Sequence, residues 1–318
     1  MPKIDLVTVF FGLELPFMEV QAMSIDKCFD PDLVSRIMVV VNEPTHAAED
    51  ETVLQFEKHV LQRYGQFKDK VTLLRASQFG DLSEKGWLTQ QACKLAVAKH
   101  STSEYYVVLD AKNHAIRPVG AATLFDSTGV PTKIFTKTRQ DQRPWLDASF
   151  SYLGEQNLIP SYRCPSSAPP FPIRTSVCSD LVDLIEDKES TNITSFFLNK
   201  QDVSTEFTLY VAYTAKIGMF ADCLRNGRST YASLRGKIDR AKIADTKARI
   251  ENANVWCFSV HRRAFRDIRE RTLRTIAQAW AIALFPTFDE ALASAHQLAD
   301  KLSDVKDFTD LRERELKS

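Results

Sequence analysis

The chain has 318 residues, with 41 Lys and Arg against 41 Asp and Glu, so its formal net charge is zero. That balance excludes a protein that wraps a polyanion on bulk positive charge, while leaving room for a local basic site. With 44% hydrophobic and 26% charged residues, the composition is that of a soluble globular chain long enough for one large α/β domain or two smaller ones.

The first 140 residues alternate β-rich runs with helical stretches, the pattern of a parallel sheet flanked by helices. Strands are predicted at Ile4–Phe10, Arg36–Val41, Val71–Leu74 and Tyr105–Leu109, with helices at about 15–28, 47–64 and 84–100 between them. The fourth run is apolar throughout, which predicts a strand covered on both faces. A short strand is expected at Lys133–Thr136. Pro160, Pro165, Pro169, Pro170 and Pro172 then fall close together among serines, predicting an irregular loop that lines an acceptor site or acts as a lid. Beyond it the chain reads as helical at about 175–187, 205–221, 228–251, 261–283 and 287–302, interrupted by a strand-like run at Asn254–Val260.

Glycine is scarce, at 10 residues, and no Gly-x-Gly occurs, which removes the dinucleotide fingerprint and the Walker loop. Phosphate binding must therefore use another device. The six cysteines are scattered without a Cys-x-x-Cys pair and read as buried thiols of a reducing compartment. Asp5 interrupts the start, so no secretory signal is read there, and the apolar stretch Ile276–Phe285 is too short for a bilayer. The expected location is cytoplasmic, at or near the inner face of a membrane. Asn192-Ile193-Thr194 is then a coincidental sequon. No Gly-x-Ser-x-Gly or His-Glu-x-x-His occurs to support a serine hydrolase or a zincin.

In open α/β sheets ligands sit outside the carboxyl ends of the strands, which directs attention to Asn42-Glu43 and to Asp110-Ala111-Lys112-Asn113. Asp110 closes the fourth strand, where it serves either chemistry or turn formation. In the helix before that strand, Trp87, Gln91 and Lys94 share one side, while Leu88, Ala92 and Leu95 lie about 100° away. Ser204 is expected to cap a helix that begins near Glu206, an acid that serves either the helix dipole or an acceptor hydroxyl. His261 follows a strand, as a capping residue or a ligand contact. Residues 225–274 hold 14 Lys and Arg against 5 Asp and Glu, either a solvated face of helical ion pairs or an anion site. Arg262 and Arg263 at a helix start favour the second reading for themselves. Nucleic acid is not expected, for want of a stacking pattern.

The order Gly86-Trp87, Gln90-Gln91, Lys94-Leu95, then a hydrophobic strand ending in Leu109-Asp110, resembles bacterial glycosyltransferase-like proteins of the GT-A type, including a poorly characterised polysaccharide-locus group. The resemblance covers roughly residues 4–140, with weaker echoes at Glu206 and His261. It implies a Rossmann-like mixed sheet flanked by helices with a helix-rich C-terminal half: residues 1–140 binding a nucleotide sugar and 141–318 the acceptor, as one continuous domain. The implied activity is a hexosyltransferase-type transfer from a UDP-sugar to a surface polysaccharide of capsule or O-antigen kind, or to a lipid-linked glycan. Inversion or retention is left open, as is oligomeric state.

By the same resemblance, Thr8, Asn42 and Glu43 lie near the base and ribose, and Asp110, Lys112 and Asn113 near the diphosphate. Trp87, Gln91 and Lys94 line the sugar pocket, Glu206 serves the acceptor, and His261 and Arg262 meet the leaving diphosphate. The family's usual Asp-x-Asp is replaced by Asp110-Ala111-Lys112. The ammonium suits a diphosphate better than it suits a divalent metal, so no cofactor is expected. Manganese or magnesium enters only if Asp110, Asn113 and His261 form a ligand set. Two alternatives stay open: a non-catalytic nucleotide- or glycan-binding protein on the same scaffold, and a sugar nucleotidyltransferase, which the missing glycine-rich loop disfavours.

Overall fold

A computed structural model describes residues 2–159, 161–199, 204–235, 238–265 and 268–303. The chain opens with β1 (Ile4–Phe10), α1 (Leu15–Cys28), β2 (Val34–Val41), α2 (His46–His59), β3 (Val71–Arg75), α3 (Gly86–Ala96) and β4 (Tyr105–Asp110), close to the predicted order and bounds. β1 to β4 pair in parallel in the order β3-β2-β1-β4. Their side chains alternate between two cores: Leu6 and Phe10 of β1 with Val107 of β4 face one, and Val7 and Val9 with Val108 face the other. β4 is covered on both faces, as its apolar run predicts. The result is the expected class, a mixed sheet flanked by helices.

Two residues after β4 the chain starts β5 (Asn113–Ala115), which leaves the main sheet for a second one. α4 (Ala121–Leu124), β6 (Thr132–Lys133), β7 (Phe135–Lys137) and α5 (Arg143–Tyr152) follow. The proline-rich stretch is less irregular than expected. β8 (Arg163–Pro165) pairs with β7, and β9 (Phe171–Arg174) adds to the main sheet antiparallel to β4. Pro172 is tolerated there because β9 is the edge strand.

α6 (Thr175–Glu189), α7 (Ile193–Asn199), α8 (Glu206–Lys216) and α9 (Phe220–Cys223) pack on one side of the sheet. The helix predicted over 205–221 is broken at Gly218, whose φ of 73° lies in the left-handed region. The helix predicted over 228–251 is likewise corrected. After β10 (Arg225–Asn226), Tyr231–Leu234 forms β11, and only Arg240–Glu251 is helical, as α10, with Asp239 accepting from the Lys242 amide at 2.8 Å as its cap. β12 (Cys257–Val260) runs parallel to β11 and antiparallel to β5. Arg262–Phe265 is a 3-10 turn rather than the start of a long helix, and α11 (Glu270–Trp280) and α12 (Phe288–Ser303) close the other core.

The second sheet, β11-β12-β5, decides where the basic segment goes. Leu234 pairs with Val260, and the His261 amide donates to the Leu234 carbonyl at 2.9 Å, so Arg235 and His261 leave the same carboxyl edge side by side. Ser259 pairs with Asn113, which brings that edge to the corner between β4 and β5 where Lys112 stands. All six cysteines are buried free thiols.

Candidate functional site

At this corner lies a cavity of about 870 Å³, walled by the carboxyl ends of β1, β2 and β4, by α3, and by the starts of α5 and α8. At its floor the buried Lys94 ammonium joins two carboxylates that are 96 residues apart in sequence, sitting 3.1 Å from Asp110 Oδ1 and 3.1 Å from Glu206 Oε1. Lys112 Nζ holds the other oxygen of Asp110 at 2.6 Å and is itself partly exposed to the cavity. Burial alone would raise the Asp110 carboxyl, but the Lys112 and Lys94 ammonium groups outweigh it and hold that carboxyl well below the usual range. Burial would likewise strip the proton from Lys94, and the Asp110 and Glu206 carboxylates hold it on, above the ordinary lysine range. The Lys94 ammonium also lies 5.5 Å from the Phe207 ring centre.

Around this floor the structure gathers Asn42, Glu43, Trp87, Lys94, Asp110, Lys112, Glu206, His261 and Arg262 in one cavity wall. Several are already occupied. Asn42 donates to the Gly86 carbonyl at 2.8 Å and accepts from Thr89 at 2.7 Å, fixing the start of α3. Glu43 Oε1 accepts from the Gly12 amide and from Thr52 Oγ1. A Cβ at Gly12 would stand 2.9 Å from Thr52 Oγ1, so glycine permits this closure of the loop after β1. Arg262 lies over the Phe11 ring at 5.3 Å.

Three residues expected at the cavity are absent from its lining. Thr8 is buried beneath it and donates to Gln21 Oε1 at 2.9 Å, and Gln21 in turn donates to the Asp110 carbonyl at 2.7 Å and the Asn113 carbonyl at 3.2 Å. Thr8 therefore braces the corner from behind. Asn113 Oδ1 accepts from the Asp110 amide at 2.7 Å, a turn-forming contact. Gln91 is buried, and Gln90 lines the cavity in its place, because the stripe that faces inward runs Trp87, Gln90, Lys94. The cap of α8 is Thr205, which accepts from the Thr208 amide, instead of Ser204. Arg263 is outside the residues whose side chains are described.

Of the residues that would hold manganese or magnesium, Asp110 and Asn113 have their oxygens engaged by other partners. Both Asp110 oxygens are held by lysine ammoniums and Asn113 Oδ1 is committed to the backbone. Among the described residues, no three His, Cys, Asp or Glu side chains are grouped to hold a metal ion. A divalent cation at Asp110 would have to displace Lys94 or Lys112.

Sequence reasoning missed four cavity residues. Trp145, from α5, stands 6.3 Å from Trp87, making a two-indole wall. Lys137 and Arg139 arrive with the strand pair β7-β8, and Arg235 with β11. A fifth is Glu14, two residues past Gly12, whose Oε2 is buried with no hydrogen-bond partner. Burial pushes its carboxyl up to about 7, against the pull of Lys112, Arg262 and Lys94 and with a push from Asp110. Its signal in the sequence was position alone, just beyond a strand's carboxyl end.

The basic segment is partly spent on ion pairs, as its helical spacing suggests. Arg249 lies 3.1 Å and Lys242 3.7 Å from Asp245, and Arg225 lies 2.9 Å from Asp126. No helix among the described residues is long and apolar enough to cross a membrane.

A family model described as a family of unknown function, DUF6492, matches residues 14–259. No curated protein matches the chain. Among solved structures the chain is similar to the galactosyltransferase LgtC in complex with donor and acceptor sugar analogues. That match has 11% identity and a TM-score of 0.48, covering 92% of this chain and 96% of that one. It is also similar to S. aureus TarS, at 10% identity and a TM-score of 0.39, over 93% of this chain and 43% of that one. Mouse xyloside xylosyltransferase 1 matches at 9% identity and a TM-score of 0.40, over 81% and 97% of the two chains. Likeness at these levels carries no argument about chemistry.

Proposed function

We propose that this chain, which belongs to the family of unknown function DUF6492, is a glycosyltransferase that moves a sugar from a nucleotide sugar, a UDP-sugar by preference, to a hydroxyl of a glycan. The observation that carries this reading is the Asp110–Lys94–Glu206 array at the carboxyl edge of the parallel strands, inside a cavity that also holds Lys112, Arg262 and two indoles. Ligands of open α/β sheets occupy that edge. Indole faces suit the apolar faces of sugar rings and bases. In this reading Lys112 and Arg262 balance the diphosphate, with His261 beside them, while Trp87 and Trp145 flank the sugar. Apart from Trp145, His261 and Arg262, the donor is served by residues up to about 140, and α8 serves the acceptor.

The acceptor oxygen attacks the anomeric carbon, the bond from that carbon to the diphosphate oxygen breaks, and the acceptor proton passes to Glu206, as an inverting transfer requires. The leaving diphosphate keeps the electron pair, and the two cations stabilise its charge without a metal. The resemblance implies a surface polysaccharide or lipid-linked glycan as acceptor at a cytoplasmic membrane face; the acceptor group proposed is no more than a sugar hydroxyl.

The test is calorimetric titration with UDP, GDP and CDP, with and without manganese or magnesium. UDP is expected to bind in the absence of metal. Binding of none of the three overturns the nucleotide-sugar reading, and UDP binding that requires metal overturns the role given to Lys112.

A pH dependence follows from Glu14. Below about 7 its carboxyl is neutral, and above it a negative charge appears beside Lys112 and Arg262. Anion binding is therefore expected to weaken as pH rises through that value. The affinity for UDP-glucose, whose diphosphate does not titrate in this range, should fall about tenfold between pH 6 and 8, the size of one charge acting at a few ångströms in a partly screened site. Glu14→Gln should remove the step and keep the tighter affinity; an unchanged step in that variant would assign it elsewhere.

A further inference from the structure

Behind the main cavity lies a second one of about 340 Å³, which shares Thr136, Ser166, Ala168, Tyr231 and Arg235 with it. Its volume falls at the lower end of small-molecule sites, roughly 300–1,000 Å³. Its charged lining is of one sign: Lys133, Arg235, Lys242 and Arg249, with no Asp or Glu among the described residues. One carboxylate, Asp245, pairs with Lys242 and Arg249 from outside the lining. Arg235 has no ion pair with a described residue. Lys133 donates 2.7 Å bonds to the Ala168 and Pro170 carbonyls, and burial pulls its ammonium down to about 7, a loss that an anion in the cavity would reverse.

A second observation is independent of charge. Trp256, only 3% exposed, lines this cavity, and its Nε1 is buried with no hydrogen-bond partner. An unmade bond of a buried donor costs about 1–3 kcal/mol, so a ligand acceptor that reached this nitrogen would be favoured. Guanidinium forks and amines that outnumber their one carboxylate partner, Asp245, fit phosphate oxygens. Leaving Lys133 aside, Arg235, Lys242 and Arg249 against Asp245 leave about two positive charges, more than the single charge of a carboxylate would balance.

We propose that this second cavity binds the phosphate group of a phosphorylated sugar, the acceptor for the transfer. The assignment of the ligand as acceptor rests on the glycosyltransferase reading of the main cavity; the anion site does not.

The experiment is calorimetric titration of the full chain with inorganic phosphate, glucose, glucose 6-phosphate and farnesyl diphosphate, beside UDP-glucose. Glucose 6-phosphate should bind at least about tenfold more tightly than glucose. The double variant Lys242→Gln, Arg249→Gln, at partly exposed positions whose loss the fold tolerates, should weaken phosphate and glucose 6-phosphate about tenfold or more and leave UDP-glucose within about twofold. Lys112→Gln should do the reverse. Trp256→Phe, which keeps the ring's bulk, should weaken glucose 6-phosphate several-fold with little change in melting temperature. The site is overturned if phosphate binding survives the double variant but is lost in Lys112→Gln, or if no phosphate ligand saturates. Tighter binding of farnesyl diphosphate than of glucose 6-phosphate overturns the sugar-phosphate assignment in favour of a lipid-linked one. If UDP-glucose does not bind while glucose 6-phosphate behaves as stated, the anion site stands and the donor reading falls.

Discussion

Lys94→Met is expected to destabilise the fold by about 3–5 kcal/mol, the cost of removing one partner from a buried ion cluster. For a chain of this length that is a loss of roughly 5–10 °C in melting temperature. The reason lies in what remains. Glu206 loses the ammonium 3.1 Å from its Oε1 while staying buried, and Asp110, about 15% exposed at its side chain, keeps only Lys112. Met fills the same volume, so the effect reports charge and not a cavity. The sign of the pH dependence checks the cause. Asp110 is held below its unfolded range, so its stabilisation is present above pH ~4 and lost as pH falls toward the folded value. Lys94 is held above its range, so its share is present below pH ~10.4 and lost only as pH rises beyond that. The gap between wild type and Lys94→Met should thus be widest near neutrality and narrow on acidification, as the orphaned carboxyls take up protons. Adding Glu206→Gln to Lys94→Met should recover part of the loss. Urea unfolding at pH 7 and pH 4 measures both; a melting temperature within about 2 °C of wild type would mean that water already solvates the cluster.

β1, β2 and β4 were legible because strands buried on both faces are mostly apolar, and β3, a half-exposed edge strand, still reads as a short Val and Leu run. β11 was not, since four residues, Tyr231 to Leu234, sit inside a charged segment whose overall spacing is helical. Its strand state comes from pairing with β12, a contact no local pattern records. The prolines hid β9 for the same reason, an edge position being visible only once the sheet is built.

For the site, strand ends pointed to Asp110, Lys112, His261 and Arg262, and these do share one cavity. The Gln91 expectation failed on helical phase. Gln90 and Gln91 differ by 100° around α3, and with two adjacent glutamines the apolar pattern did not select between them. Thr8 sits on a strand whose side chains alternate, and its hydroxyl falls on the face that packs on α1, toward Gln21. The bond between Lys94 and Glu206 joins residues 112 apart and depends on how α8 lies against α3, which composition and periodicity do not encode.

Glu206→Gln is expected to lower turnover by about 10²–10⁴, the range for loss of a positioned proton acceptor, with donor affinity nearly unchanged. Because Glu206 enters from α8 and the proposed donor contacts come from α3, α5, the corner after β4 and the turn after β12, the substitution separates the two steps. Gln keeps the shape, and Lys94 keeps Asp110 as its anion, so the fold should lose only about 1–2 kcal/mol. The measurement is release of UDP from UDP-sugars with water as the acceptor, which needs no knowledge of the natural glycan, followed at saturating donor. A variant with full turnover removes Glu206 from the chemistry. Wild-type protein that binds UDP-sugars and releases no UDP even with sugar phosphates present would favour a binding protein on this scaffold, since the same Lys94 bridge would then serve only to keep two carboxylates still. A kcat that falls while KM for the donor holds supports a proton acceptor on the acceptor side; a rise in KM alone would move Glu206 to donor binding.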